Sequence, residues 1–178
     1  MPLLENHLAV VTGAASGIGR AIATGFAREG ARVVLLDTNE KGAAEATQSI
    51  RSAGGKADHF ALDVTRRDDC MAVASKIAGQ VGRISILVNN AGITRRNAFT
   101  AEANAVLKDW QDIMAINLNG VFNVTQAFLE PLRASKGRIV NIGSIQSFVH
   151  LRTPSSAAYT TSKHGVLGFT KALAVELG

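Results

Sequence analysis

Short apolar runs alternate with helix-patterned segments along the chain, and each run closes on a polar or small residue. The runs are 7–12 (HLAVVT), 32–36 (RVVLL), 59–62 (HFAL), 84–88 (ISILV) and 138–142 (RIVNI). The second to fifth close on Asp37, on Asp63, on Asn89-Asn90 and on Gly143-Ser144. Runs this short and rich in β-branched residues suit strands covered on both faces. Between them, 17–29 carries Ile18, Ile22 and Phe26 at helical spacing and stops at Gly30, a C-terminal cap. The Ala-rich 41–53 stops at Gly54-Gly55, and 68–78 opens on two acids that suit a helix N-terminus. A long helix is expected from about 102 or 106 to about 133, with Pro131 kinking or ending it. A last helix from about Ala157 carries Tyr159, Lys163, Leu167 and Leu173. This alternation predicts a doubly wound parallel sheet with right-handed crossovers, in one domain over 1–178 without repeats or linkers.

Composition narrows the function classes. Hydrophobic residues are 47% of the 178, enough for a substantial core, and aromatics are few. The net charge of +5 comes from scattered Lys and Arg, whose longest clusters are the pairs Arg66-Arg67 and Arg95-Arg96. Without a basic patch or aromatic interleaving, nucleic acid is not the expected partner. Cys70 is the only cysteine, so no intrachain disulfide forms, and its apolar setting reads as a buried small hydrophobe. No Cys/His cluster has metal-ligand spacing. No signal-peptide pattern and no long uncharged apolar window occurs, so the expectation is a soluble, cytoplasmic protein without a membrane span.

The first run leads into Thr12-Gly13-Ala14-Ala15-Ser16-Gly17-Ile18-Gly19. Small residues let the backbone turn tightly, and the following helix offers unpaired N–H groups to a pyrophosphate. The same glycines could serve only a tight turn. Asp37 closes the second run, eighteen residues after Gly19, where an acid meets the adenosine ribose hydroxyls. A carboxylate there repels a 2′-phosphate, and Ala14, Ala15 and Ser16 supply no cation, so NAD is favoured over NADP. Asp63 suits an adenine amino group or a turn cap. Asn89-Asn90-Ala91-Gly92 lines a cofactor cleft or makes an ordinary turn.

Tyr159 and Lys163 stand four apart, so both side chains leave one helical face. A cation beside a phenol favours phenolate and pulls its pKa below the reference of about 10. A nucleotide loop together with such a phenol suggests hydride transfer coupled to proton transfer.

TGAASGIG (12–19), Asp63-Val64, NNAG (89–92), Asn117, Ser144 and YTTSK (159–163) stand in the order of the short-chain dehydrogenase/reductase family, which the whole chain resembles. The resemblance implies a Rossmann-type, three-layer α/β/α fold. It implies catalytic roles for four residues: Tyr159 as proton donor or acceptor, Lys163 lowering its pKa and holding the nicotinamide ribose, Ser144 bonding the reacting oxygen, and Asn117 holding a water that links Lys163 to solvent. Cofactor contacts are expected at Gly13, Ser16, Gly17, Ile18, Gly19, Asp37, Asp63, Val64, Asn90, Ala91 and Gly92, besides Tyr159 and Lys163.

Two departures from the family stand out. The fourteen residues between Ser144 and Tyr159 are about two more than usual, and Gln146 and His150 in that stretch are candidate substrate contacts. Relatives continue past the Tyr/Lys helix with further strands and a substrate lid, whereas this chain stops at Gly178. The chain is therefore expected to be part of a longer protein, its fifth strand an exposed edge. NNAGITRR is similar to sugar-acid dehydrogenases of the 2-deoxygluconate or gluconate type, so Arg95 is a candidate partner for a substrate carboxylate. Polyol and hydroxy-acyl substrates stay open. A homotetramer or homodimer is implied, packed through some of Val121, Phe122, Phe128, Leu167 and Phe169, which could equally be buried against the sheet. The competing function is a non-catalytic dinucleotide-binding or assembly module.

Overall fold

A computed structural model describes residues 2–149 and 157–178. Among these, five parallel strands form one sheet in the order β3-β2-β1-β4-β5. They are β1 (Leu8–Thr12), β2 (Arg32–Asp37), β3 (Lys56–Ala61), β4 (Ile86–Asn89) and β5 (Arg138–Asn141). The helices are α1 (Gly17–Arg28), α2 (Glu40–Ser52), α3 (Arg67–Gln80), α4 (Ala103–Met114), α5 (Gly120–Ser135) and α6 (Ala157–Leu177). The chain winds outward through β2 and β3, then returns to the other side of β1 for β4 and β5. The winding reverses between β1 and β4, so their C-terminal ends diverge and leave a crevice.

The central strands are apolar throughout because each face meets a helix layer. Val10 pairs in register with Val34 on one side and Leu87 on the other. These three point with Leu36 into a core completed by Cys70 and Ile77 of α3 and by Phe128 and Leu132 of α5. The alternate residues Ala9, Val11, Val33, Leu35 and Val88 face the opposite layer, where Ala23 of α1 and Ala43, Ala46 and Ile50 of α2 cover them. Alanine on that side brings the helices close to the sheet.

The edges depart most from the sequence pattern. β3 starts at Lys56, three residues before its apolar signal, because it is half exposed and alternates polar with apolar. Asp58 on it receives Arg32 at 2.9 Å and Arg51 at 3.0 Å. β5 is the other edge of the sheet among the described residues, and Val140 on it is 44% exposed on a face that no helix covers there.

The expected long helix is two helices joined by a π turn, Ala115–Asn119. The Glu102 carboxylate caps α4 by accepting N–H bonds from Asn104 and Ala105 at 2.8 and 2.9 Å, which hold it below the usual carboxyl range. Pro131 does not end α5: the helix runs to Ser135, carried across the proline by Phe128 and Leu132, both buried. It stops at Lys136, which takes the left-handed conformation at φ 53°.

Phe128, which the sequence left open between a subunit interface and the sheet, is fully buried within the chain. Phe128→Ala is therefore expected to cost about 3–5 kcal/mol in urea denaturation. Burial pushes the Cys70 thiol from 9.0 up to about 11, with Asp69 and Asp63 adding to the shift. The native state keeps this proton where the unfolded state loses it, so stability falls as pH rises from 9.0 towards about 11. Denaturant midpoints measured across that window should show a Cys70→Ala variant without this part of the decline.

Candidate active site

The C-terminal ends of the strands open into a cleft of about 510 Å³. Loops after all five strands line it, with Tyr159 and Lys163 of α6 closing one side. The loop after β1 contributes Gly13, Ser16, Gly17 and Ile18, the loop after β2 Asp37, and the loop after β3 Asp63 and Val64. Asn90, Ala91, Gly92 and Ile93 follow β4, and Ile142 and Gly143 follow β5.

The crevice is held at its base by hydrogen bonds between the ends of β1 and β4. Thr12 Oγ1 accepts the backbone N–H of Asn90 and of Ala91, each at 3.0 Å. Asn90 Nδ2 donates to the carbonyls of Thr12 and Gly13 at 2.9 and 3.1 Å. One layer below, Asn89 Nδ2 donates to Thr125 Oγ1 and to Asn141 Oδ1, tying β4 to α5 and β5.

The three glycines of the first loop do different work. Gly17 has φ +52° and open space where a Cβ would stand, so the backbone there faces the cleft bare. Gly13 also has positive φ, and a Cβ on it would lie 2.9 Å from Ala91 Cα. Gly19, predicted to touch the cofactor, is not in the cleft lining among the described residues. A Cβ on it would run into the Gly13 carbonyl and lie 2.5 Å from Asn90 Nδ2, so it lets α1 start close against both the first loop and the β4 loop. Ser16 caps α1 with no side-chain bond, and the first turn carries no acid. Its N–H groups and helix dipole suit an anion. The residues present therefore fit a dinucleotide pyrophosphate.

Asp37 stands at the β2 end with both oxygens used, Oδ2 accepting from Ala15 N and Oδ1 from Asn39 N, each at 2.9 Å. Asp63 combines its two sequence readings. Oδ1 caps a turn through Thr65 N and Oγ1 at 2.9 and 2.7 Å, and the residue also lines the cleft.

Lys163 is 7% exposed, donates from Nζ to the Ile142 carbonyl at 2.6 Å, and lies 5.8 Å from the Tyr159 ring centroid. Desolvation pushes its ammonium below the ordinary lysine value. Asn117 sits in the π turn, 1% exposed, its Oδ1 accepting from Ile93 N and its Nδ2 donating to Ile93 O and Ser162 Oγ. A π turn at such a position is typical of functional sites. Ser144 is the N-cap of a 3₁₀ turn, Ile145–Ser147, its Oγ accepting from Gln146 N at 3.2 Å.

The substrate candidates separate. Gln146 Oε1 accepts from Thr160 Oγ1 at 2.6 Å, tying the 3₁₀ turn to α6. Arg95 lines a neighbouring groove of about 400 Å³ with Phe99 and Trp110, 3.9 Å from Asp112. His150 lies outside the described residues. Of the interface candidates, Val121 is buried, whereas Phe122 is 44% exposed and packs edge-on against Phe169 at 6.3 Å. Sequence reasoning passed over Thr12 and Ser162. The signals were a hydroxyl closing the first run and a serine three residues after Tyr159.

Gly19→Ala should weaken dinucleotide binding at least tenfold in a calorimetric titration, as the new Cβ drives α1 off Asn90. Lys163 makes the opposite pH signature to Cys70. The unfolded lysine keeps its proton up to 10.5 and the buried one releases it earlier, so stability rises with pH as 10.5 is approached. In a Cys70→Ala background, adding Lys163→Met should remove that rise in denaturant midpoint.

Comparison with known proteins bears on the same residues. The family model described as short chain dehydrogenase matches residues 7–178. The chain is 39% identical over 175 residues to a 3-oxoacyl-(acyl-carrier-protein) reductase of Thermotoga maritima, covering 98% of this chain and 69% of that protein. It is 41% identical over 176 residues to a D-threitol dehydrogenase of Mycolicibacterium smegmatis, covering 98% and 66%. The fold is similar to the crystal structure of a gluconate 5-dehydrogenase from Burkholderia cenocepacia in complex with NADP and tartrate. The TM-score is 0.90 at 38% identity, over 97% of this chain and 66% of that one. The chain thus spans about two thirds of the length of these relatives.

Proposed function

The chain belongs to the short chain dehydrogenase family, and from that premise we propose that it transfers hydride between a nicotinamide dinucleotide and a secondary alcohol or ketone. The observation that carries this reading is the meeting of the glycine loop, Asp37, Tyr159 and Lys163 on one cleft. The dinucleotide supplies the hydride chemistry when bound. The Tyr159 hydroxyl takes the carbinol proton in oxidation and returns it in reduction. Lys163, steered by the Ile142 carbonyl, sets its positive charge beside the phenol and would hold the nicotinamide ribose of a bound dinucleotide. The Ser144 hydroxyl donates to the substrate oxygen where negative charge develops. The Asn117 amide is taken up by Ile93 and Ser162, so it holds the loop after β4 against α6.

NAD is the proposed cofactor, because the Asp37 carboxylate held at the β2 end repels a 2′-phosphate. The NADP named with the gluconate 5-dehydrogenase neighbour favours the second reading. Tighter binding of NADPH than NADH in a fluorescence titration would overturn the role of Asp37. Sugar acids and polyols are the proposed substrates, supported by the gluconate and threitol dehydrogenases among the relatives and by Arg95 following the β4 loop. The proposed assembly is a cytoplasmic homotetramer or homodimer packed through Phe122, Leu167 and Phe169.

Tyr159→Phe should lower kcat by about a hundredfold or more while leaving the dinucleotide Kd within twofold. A fully active variant contradicts the mechanism. Wild-type protein that binds dinucleotide but turns over no member of an alcohol, polyol and sugar-acid panel would favour the binding-module reading.

A further inference from the structure

Ser162 sits between the two residues of the Tyr/Lys pair, and its side chain has no access to solvent. Its hydroxyl donates to the Tyr159 carbonyl at 2.7 Å and accepts from Asn117 Nδ2 at 3.3 Å. Asn117 in turn grips the loop after β4 at two points, taking the Ile93 N–H at 2.8 Å and donating to the Ile93 carbonyl at 2.9 Å. Ile93 lines the cleft. A continuous hydrogen-bonded path, buried at Asn117 and Ser162, therefore runs from the cleft lining, through the π turn, to the backbone of the turn that carries both Tyr159 and Lys163.

The path explains two local irregularities. A π turn disrupts the regular helical bond pattern, and this one stands where Asn117 reaches the Ile93 backbone and Ser162 together. Close approach of α6 is also required there. A Cβ on Gly165 would lie 3.0 Å from Leu118 of the π turn, so the glycine lets the two elements meet near Ser162. A serine bonding the carbonyl three residues back is a local competitor of regular helix bonding, tolerated in this position by what it gains from Asn117.

We propose that Ser162 is a positioning residue: it couples the Asn117 clamp on the β4 loop to the Tyr159–Lys163 turn and so sets the phenol and ammonium against the cleft. The assignment rests on the function proposed above for Tyr159 and Lys163. Replacing Ser162 by alanine strands an Asn117 N–H in a buried site and frees the Tyr159 carbonyl from its second donor. The glycine loop and Asp37 stay as they are, being on other elements.

The test measures three things on Ser162→Ala, Ser162→Thr and wild type: turnover with a secondary alcohol, dinucleotide Kd, and amide hydrogen exchange. Ser162→Ala should lower kcat about tenfold with Kd within twofold, and should speed exchange of the Ile93 amide about tenfold while β1 and β2 amides keep their rates. Ser162→Thr, which keeps a hydroxyl, should recover most of both. Asn117→Ala combined with Ser162→Ala should be no worse than the poorer single variant, since both break one path. An unchanged kcat, or an unchanged Ile93 exchange rate in folded Ser162→Ala, overturns the assignment. Wild-type protein without turnover counts against the functional reading instead, and Ile93 exchange then decides the role of Ser162.

Discussion

The junction between the ends of β1 and β4 is the constraint on which the rest of the site depends. Two strands that part at this point would leave a gap in the sheet. Here the Thr12 hydroxyl and the Asn90 amide bridge it with four hydrogen bonds within 3.1 Å. The bridge is part-buried, so each bond is stronger than at a wet surface and costly to leave unmade. Because Asn90 Nδ2 also reaches Gly13 O, the crevice and the glycine loop are fixed by the same side chain. Gly19 then brings α1 onto it, aiming the helix N-terminus at the crevice.

The opposite wall is built on a different logic. α6 approaches the cleft by way of the π turn and the loop after β4, not by sheet pairing. Asn117 and Ser162 are buried, hydrogen-bonded polar groups, and Lys163 is nearly so with the Ile142 carbonyl as partner. Burying this lysine opposes stability near neutral pH, since desolvation disfavours its charged form. A cation kept in such a place against its own solvation is a feature of sites that handle charge. The two walls are tied together through Asn89, which links β4 to Thr125 of α5 and to Asn141 of β5, and through Asn141, which donates to Thr170 of α6.

Legibility followed burial. The runs 7–12 and 32–36 read directly as β1 and β2 because helices cover both their faces, leaving little for polar residues to do. β3 began earlier than its apolar signal because an edge strand is half wet and its polar residues mask the pattern. Gly13, Gly17, Asp37 and the Tyr159–Lys163 pair were legible because spacing along one turn or one helix determines where they point. The π turn was not, since its cause lies in Ile93 and Ser162, 24 and 45 residues from Asn117. The tertiary partners of Gln146 and Arg95 were not legible either: Gln146 accepts from Thr160, and Arg95 lines a neighbouring groove. The place of Phe128 stayed open between interface and core because a helix that is apolar on one face does not say which neighbour covers it.

The central claim is that a dinucleotide lies across the β1–β4 crevice with its nicotinamide end at Tyr159. Tyr159 is the only tyrosine in the chain, so its ring protons give an unambiguous nuclear Overhauser signal. The direct measurement is the transfer of magnetisation from that ring to bound NAD. Contacts to the nicotinamide protons and none to the adenine protons are the predicted result. Contacts to adenine, or saturable binding with no contact to either ring, would contradict the account.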